Sequence, residues 1–394
     1  MLTDKVGKRC CACRACQQVC TANAIFFEND DFGFEYPNIN TDKCLSCGKC
    51  EHICPIINFD DKKADIPKPE LCGAARAKDM SVRKGGSSGG MFGLFAEKVI
   101  KDGGTVFGAA FDENLKLKTV EADSVSKLSP LLKSKYLLCD TGNAFSSIKN
   151  AADAGKSVLY CSSPCQIAAF KRYLGKEYDN ILTVDFICHG VGNQEMFNKS
   201  IHWFEKKYGK ELSGFMFRFK DKRKATSHYY KAQFSDGSER AGMYFDFPYY
   251  NAYCKELAYR DICYVCPFAS NQCVSDITIG DFHTIEKYVK DIDRMAGISM
   301  LICNTEKGRE FVEALKDELD IREMPSEVLY RNNRFSCAAV GTGSAAEEFR
   351  NAFSKYGYDG ETYKMLNPMS DNLKKAFYKL PKPIKKLFKL ILEH

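Results

Sequence analysis

Cys10, Cys13, Cys16 and Cys20 follow the spacing C-x2-C-x2-C-x3-C, and Cys44, Cys47, Cys50 and Cys54 repeat it, with Pro55 after the last. Thiolates are soft ligands that suit iron, and a C-x2-C turn points two sulfurs and several backbone N–H groups inward, where they stabilise the negative charge of a cluster. In this arrangement three close cysteines grip one [4Fe-4S] cluster while the fourth crosses to the other. Cys10, Cys13, Cys16 and Cys54 are therefore expected at one cluster, and Cys44, Cys47, Cys50 and Cys20 at a second. Two zinc knuckles would be the competing use, but zinc draws its four ligands from two separated pairs. Thr21 stands where the first copy would usually have proline, which alters a turn and not ligation. Cys11 reads as an extra thiol, packed or half-exposed, and not as a ligand.

A second set of thiols lies further along. Cys263-Tyr264-Val265-Cys266-Pro267 is a lone C-x2-C, compatible with zinc, a redox dithiol or an iron-sulfur site, and it needs two partners. Cys165 in Ser163-Pro164-Cys165-Gln166 and Cys188 in Ile187-Cys188-His189-Gly190 sit at the ends of expected strands, where α/β proteins gather functional groups; Cys273 is a nearer competitor. The structural alternative is that Cys165 and Cys188 are simply buried core thiols. Twenty cysteines clustered in this way suit metal binding better than a disulfide scaffold.

These segments must be positioned by a chain of 394 residues, 45% hydrophobic and 27% charged, the balance of a globular protein with two or three domains. Neither a signal peptide nor an apolar run long enough to span a membrane is read in it, so the expected location is the cytoplasm. The net charge of +6 is uneven: residues 371–394 carry seven lysines against Asp371 and Glu393, and the rest is near neutral, so a nucleic-acid surface is not indicated. Residues 1–60 read as a small bacterial-type dicluster ferredoxin domain, and 61–70, within DDKKADIPKPE, as a linker.

From Leu71 an α/β rhythm follows. Strands are expected at 104–108, 157–161, 181–188, 214–220, 229–234 and 276–280, followed by an apolar run at 297–303. Helices are expected after Ser88, at 145–154, after Pro164, from Asn193, leading to Arg260, and at 306–319. The expected fold is α+β to α/β, the ferredoxin domain being followed by a mixed-sheet body. That body is divided into 71–160, 161–340 and a helical C-terminal region 341–394. In the tail, Ile384, Leu387, Phe388, Ile391 and Leu392 recur at helical spacing opposite Lys385, Lys386 and Lys389. A basic amphipathic helix of this kind could touch an anionic membrane surface, bind a partner, or dock on its own body.

The motifs taken together resemble the beta subunit family of coenzyme F-420 hydrogenases and dehydrogenases. The resemblance rests on the eight N-terminal cysteines, Ser88-Gly89-Gly90-Met91-Phe92, GTVFGAAF at 104–111, Ser134-Lys135-Tyr136, Ser163-Pro164-Cys165-Gln166, Val184-Asp185-Phe186-Ile187-Cys188-His189-Gly190, Phe217-Arg218, Cys263-x2-Cys266-Pro267, SDITIGDF at 275–282 and Gly297-Ile298-Ser299. It implies an FAD-binding body beside a third [4Fe-4S] cluster, with Cys165, Cys188, Cys263 and Cys266 as its ligands and Cys273 a bystander.

A flavin would convert the single electrons of clusters into hydride chemistry. The glycine run 85–90 at a helix start could offer N–H groups to its pyrophosphate, with Ser88, Gly89 and Gly90 as cofactor contacts. The resemblance adds Ser134, Lys135 and Arg218 as phosphate or ring contacts, and Tyr136 as a stacking or hydrogen-bonding neighbour; each could instead be a surface charge or a half-buried aromatic. No catalytic residue is assigned. The sequence departs from the family pattern at Ser162-Ser163, at His283-Thr284 and over 222–226, all in the substrate half. The implied activity is that of an oxidoreductase passing electrons between a ferredoxin or another redox subunit and an organic hydride donor or acceptor, the deazaflavin coenzyme or something else. The alternatives are a non-catalytic electron-relay subunit and, ranked last, a redox sensor.

Overall fold

The computed structural model describes residues 1–59, 68–220, 228–271, 273–290, 297–331 and 343–366, with isolated positions between 373 and 384. The expected linker at 61–70 is described only from residue 68, and the apolar tail positions beyond Ile384 lie outside the described residues.

The N-terminal module is built twice from one local pattern. Ala12 and Arg14 in the first copy, and Ser46 and Gly48 in the second, all hold positive φ (50°, 59°, 51° and 72°). These left-handed residues turn each chain tightly around its cysteines and launch the helices Ala15–Val19 and Lys49–Ile53. Between the copies, β1 (Ile25–Asn29) and β2 (Glu35–Ile39) pair as an antiparallel hairpin.

The body is organised by a mixed sheet of eight strands among the described residues. These are β3 (Leu71–Ala77), β4 (Thr105–Phe111), β5 (Leu117–Ala122), β6 (Val158–Cys161), β7 (Ile181–Phe186), β11 (Ile277–Asp281), β12 (Ser299–Cys303) and β13 (Leu319–Glu323), in the order β13-β3-β12-β11-β7-β6-β4-β5. β4, β6, β7 and β11 run parallel at its centre, and antiparallel pairs close both sides. Parallel strands are covered on both faces, which is why β6 and β7 are buried along nearly their whole length, Thr183 and Asp185 of β7 included. A smaller antiparallel sheet, β8 (Leu212–Met216), β9 (Tyr229–Phe234) and β10 (Glu239–Met243), packs its aromatic rings with the helices Gln194–Tyr208 and Pro248–Cys254. Phe215 and Phe247 lie 4.3 Å apart between ring centroids in that cluster.

Most expected elements are present, with shifted ends. The strand expected to reach Cys188 ends at Phe186, because the chain turns at Gly190 (φ 139°), against which the Tyr259 ring packs where a Cβ would stand. The strand expected at 214–220 covers Leu212–Met216, since Arg218 holds a positive φ that a strand cannot continue through. The helix expected over 306–319 stops at Glu313, and Leu319 already opens β13. Among the described residues no helix is long and apolar enough to cross a membrane.

One buried cation ties the module to the body. Arg260 is fully buried; its Nε donates to the Cys10 carbonyl and its Nη2 to the Glu35 carbonyl at 2.7 Å, and its guanidinium lies 4.1 Å from the Tyr36 ring. Thr141 Oγ1 donates to the Cys13 carbonyl at 3.0 Å, and Arg14 pairs with Asp140 at 2.8 Å. Arg260→Ala would strand the buried Cys10 carbonyl and leave the part-buried Glu35 carbonyl without this donor, and an unsatisfied buried group costs about 1–3 kcal/mol. The expected result is a lower thermal midpoint and protease release of the N-terminal module ahead of the body, followed by gel electrophoresis of a timed digest.

Candidate iron-sulfur centre and cavity

The four cysteines of the first expected set are drawn together. Cys10, Cys16 and Cys54 lie close enough that each thiolate would raise the proton affinity of another, and Cys13 is a near neighbour of Cys10 and Cys16. Burial is the larger cause of the upward shift at Cys10 and Cys16. The sulfurs also meet backbone donors: Ala12 N–H points at Cys10 Sγ and Ala24 N–H at Cys20 Sγ, both at 3.3 Å. Of the second set, Cys44 neighbours Cys50, and Cys47 is exposed. The turns, the N–H donors and the soft donor set fit clusters in this module.

The body cysteines also converge. Cys188, Cys263, Cys266 and Cys165 are mutual electrostatic neighbours. Burial first, then these neighbours, pushes Cys263 up to about 12 and Cys266 up to about 11. Such thiols hold their protons until a metal's charge displaces them. Cys273 stands apart, beside Asp185 and Thr278. Among the described residues no three His, Cys, Asp or Glu side chains close on a point small enough for a single metal ion. Cys11, read as a mere extra thiol, is buried and within hydrogen-bonding reach of both Cys13 and Cys165, so it joins the two sets.

Cys188 also lines a cavity of about 780 Å³ that opens where the parallel strands end, the usual ligand position in such sheets. Ser88, Gly90, Ser134, Lys135, Tyr136 and Arg218 line it. Gly89 lies behind the lining: a Cβ there would meet the Ala75 carbonyl at 2.5 Å, and its N–H donates to Ser299 Oγ at 2.9 Å. Ser134 N–H donates to Ser87 Oγ at 3.0 Å, which fastens the glycine loop to the Ser-Lys-Tyr segment. Tyr136 stacks on Tyr253 at 4.5 Å.

Charge in the cavity is mostly positive. Burial pushes Lys135 down to about 7. Lys220 is likewise pushed down to about 7, by burial and then by Lys133 and Arg218. Arg218 is paired with Asp281, and although burial alone would raise that carboxyl, the guanidinium holds it below the usual carboxylate range. Sequence reasoning missed Lys133, Lys220 and Asp281 as a group, because they come from three distant segments; Asp281 alone fell within a recognised motif, SDITIGDF.

A duplicated cysteine module on a mixed α/β body with further converging thiols defines an iron-sulfur redox protein. Residues 9–56 match the family model of the 4Fe-4S dicluster domain, and residues 155–327 match the model of the C terminus of the coenzyme F420 hydrogenase/dehydrogenase beta subunit. Residues 155–327 are thus similar to the C terminus of that beta subunit family, and a 4Fe-4S dicluster domain lies ahead of the matched region.

A curated relative, "Ferredoxin-type protein NapF" of Haemophilus influenzae, is 43% identical over 53 residues, which cover 13% of this chain and 30% of that protein; the chain thus spans under a third of that relative's length. A chain of the xenon-derivatised F420-reducing [NiFe] hydrogenase complex from Methanosarcina barkeri is similar at 15% identity with a TM-score of 0.45, over 67% of this chain and 87% of that one.

Proposed function

We propose that this chain is an FAD- and [4Fe-4S]-dependent oxidoreductase that exchanges electrons between a ferredoxin-like partner and an organic hydride donor or acceptor. The observation that carries this reading is the convergence of Cys165, Cys263 and Cys266 on Cys188, which itself lines a cavity of about 780 Å³ that also holds Lys133, Lys135 and Arg218. In this reading the N-terminal clusters are held by Cys10, Cys13, Cys16 and Cys54 and by Cys44, Cys47, Cys50 and Cys20, and the four body cysteines hold a third. FAD would supply the conversion between single electrons and hydride.

The chain's own residues have definite tasks there. Gly90 (φ 84°) lets the backbone turn at the cavity wall, with Cβ space already taken by the Val82 carbonyl at 3.0 Å. Lys133 on the cavity wall, with Lys220 near it, brings positive charge suited to a phosphate-bearing ligand. Lys135, titrating near neutrality on the cavity wall, can hold or release a proton at Nζ. Tyr136, stacked on Tyr253, offers a flat wall for a ring system. The substrate is the deazaflavin coenzyme or another organic hydride carrier, and the expected location is the cytoplasm.

The second reading, a non-catalytic relay subunit, draws on Arg218: its charge is already taken by Asp281, leaving fewer cations for a flavin. Anaerobic purification separates the two. About twelve irons and one FAD per chain support the enzyme, and about eight irons with no flavin after reconstitution overturn it.

A further inference from the structure

The N-terminal module carries one loop twice, and only one copy is covered. Cys11 and Leu45 occupy equivalent places, each directly after the first cysteine of its copy and directly before a left-handed residue, Ala12 or Ser46. Cys11 is 6% exposed because its loop faces the body, where the thiol reaches Cys165. Leu45 is 72% exposed, and of residues 41–49 all but Cys44 are open to solvent. The first copy therefore presents to the body's cysteines the same face that the second copy presents to the outside.

We propose that the loop 42–49 is the docking face for an acidic one-electron iron-sulfur carrier protein, the external counterpart of the contact made by Cys11. The proposal rests on the functional reading above, in which the module exchanges electrons with such a partner. Cys47 brings a sulfur to the surface at this loop, so a docked carrier gets nearer to this end of the module than to the first copy, which the body covers. Lys43 and Lys49 flank Leu45, both exposed, and neither makes an ion pair among the described residues; Asp42 is the one acid in the run. Lysines around a small apolar centre steer an acidic partner and seat it. Each encounter oxidises the carrier by one electron and reduces the module by one, with no bond or proton moved.

The rival face surrounds Val265, 69% exposed between Cys263 and Cys266 on the body. Both side chains point to solvent, so Leu45→Glu and Val265→Glu should fold, with iron content as the check. The test is the dissociation constant of an acidic bacterial dicluster ferredoxin for the full anaerobic protein, measured by titration at low and at high salt. Leu45→Glu combined with Lys43→Glu is expected to weaken binding about tenfold or more and to abolish its salt dependence, while Val265→Glu leaves it as in the wild type. If Val265→Glu weakens binding and the Leu45 variant does not, the docking face is on the body and the proposal fails while the partner survives. If the wild type binds no ferredoxin, the partner and the face fail together.

Discussion

Cys263→Ser is expected to cost the protein one cluster and leave two. The Cys263 thiol sits among Cys188, Cys266 and Cys165, and its backbone is fixed by the Cys263 N–H to Arg260 carbonyl bond at 2.9 Å. Serine keeps the shape of the loop but replaces a soft sulfur with a hard, far less acidic oxygen, a poor ligand for iron. Iron should fall from about twelve to about eight per chain, with the signals of the N-terminal module intact in low-temperature EPR. Cys273→Ser is the matched control: it stands beside Asp185 and Thr278 and not among the four, so its iron content should stay at the wild-type level. Unchanged iron in Cys263→Ser would sink the ligand set; a loss in Cys273→Ser would mean that Cys273 itself is a ligand.

The sequence carried the ligand pattern of the module and the α/β order of the body because both are local. C-x2-C spacing and apolar runs need no knowledge of distant residues. Leu71 was readable as the start of the body, and β3 begins there. What stayed hidden depends on long-range contact. Arg260 looks like any arginine at the end of a loop, yet it reaches the Cys10 carbonyl across most of the chain. Cys11 could be packed or half-exposed until the body was seen to cover it. The short edge strands β5, β10 and β13 were missed: Glu239 and Arg240 leave β10 without apolar alternation, while Leu319-Asp320-Ile321-Arg322 of β13 does alternate but follows directly on the helix expected to run to Leu319. Strand ends made Cys165 and Cys188 candidate partners of the C-x2-C pair and the family resemblance singled them out; β6 and β7 are parallel neighbours, so the segments that follow them leave the same edge of the sheet.

The same parallel centre creates a pH liability at Asp185. It lies on β7 opposite Thr278 of β11, 2% exposed, with hydrogen bonds to Thr278 and Ser275 and no partner for Oδ1. Burial raises its pKa from 3.8 to about 7. The folded state thus binds the proton more tightly than the unfolded chain, so the stability from this group is complete below about pH 4 and is lost as pH rises toward 7. Each tenfold change in proton affinity is worth about 1.4 kcal/mol, which places the loss near 4 kcal/mol by pH 8. Asp185→Asn keeps the shape and cannot ionise, so its stability should stay level across this range where the wild type declines. Thermal midpoints of both proteins at pH 5 and pH 8, with equal iron content, measure the difference. The variant should match or trail the wild type at pH 5 and exceed it by several degrees at pH 8; parallel curves would mean that Asp185 is ionised in the folded protein at both pH values, with a counter-charge holding it so.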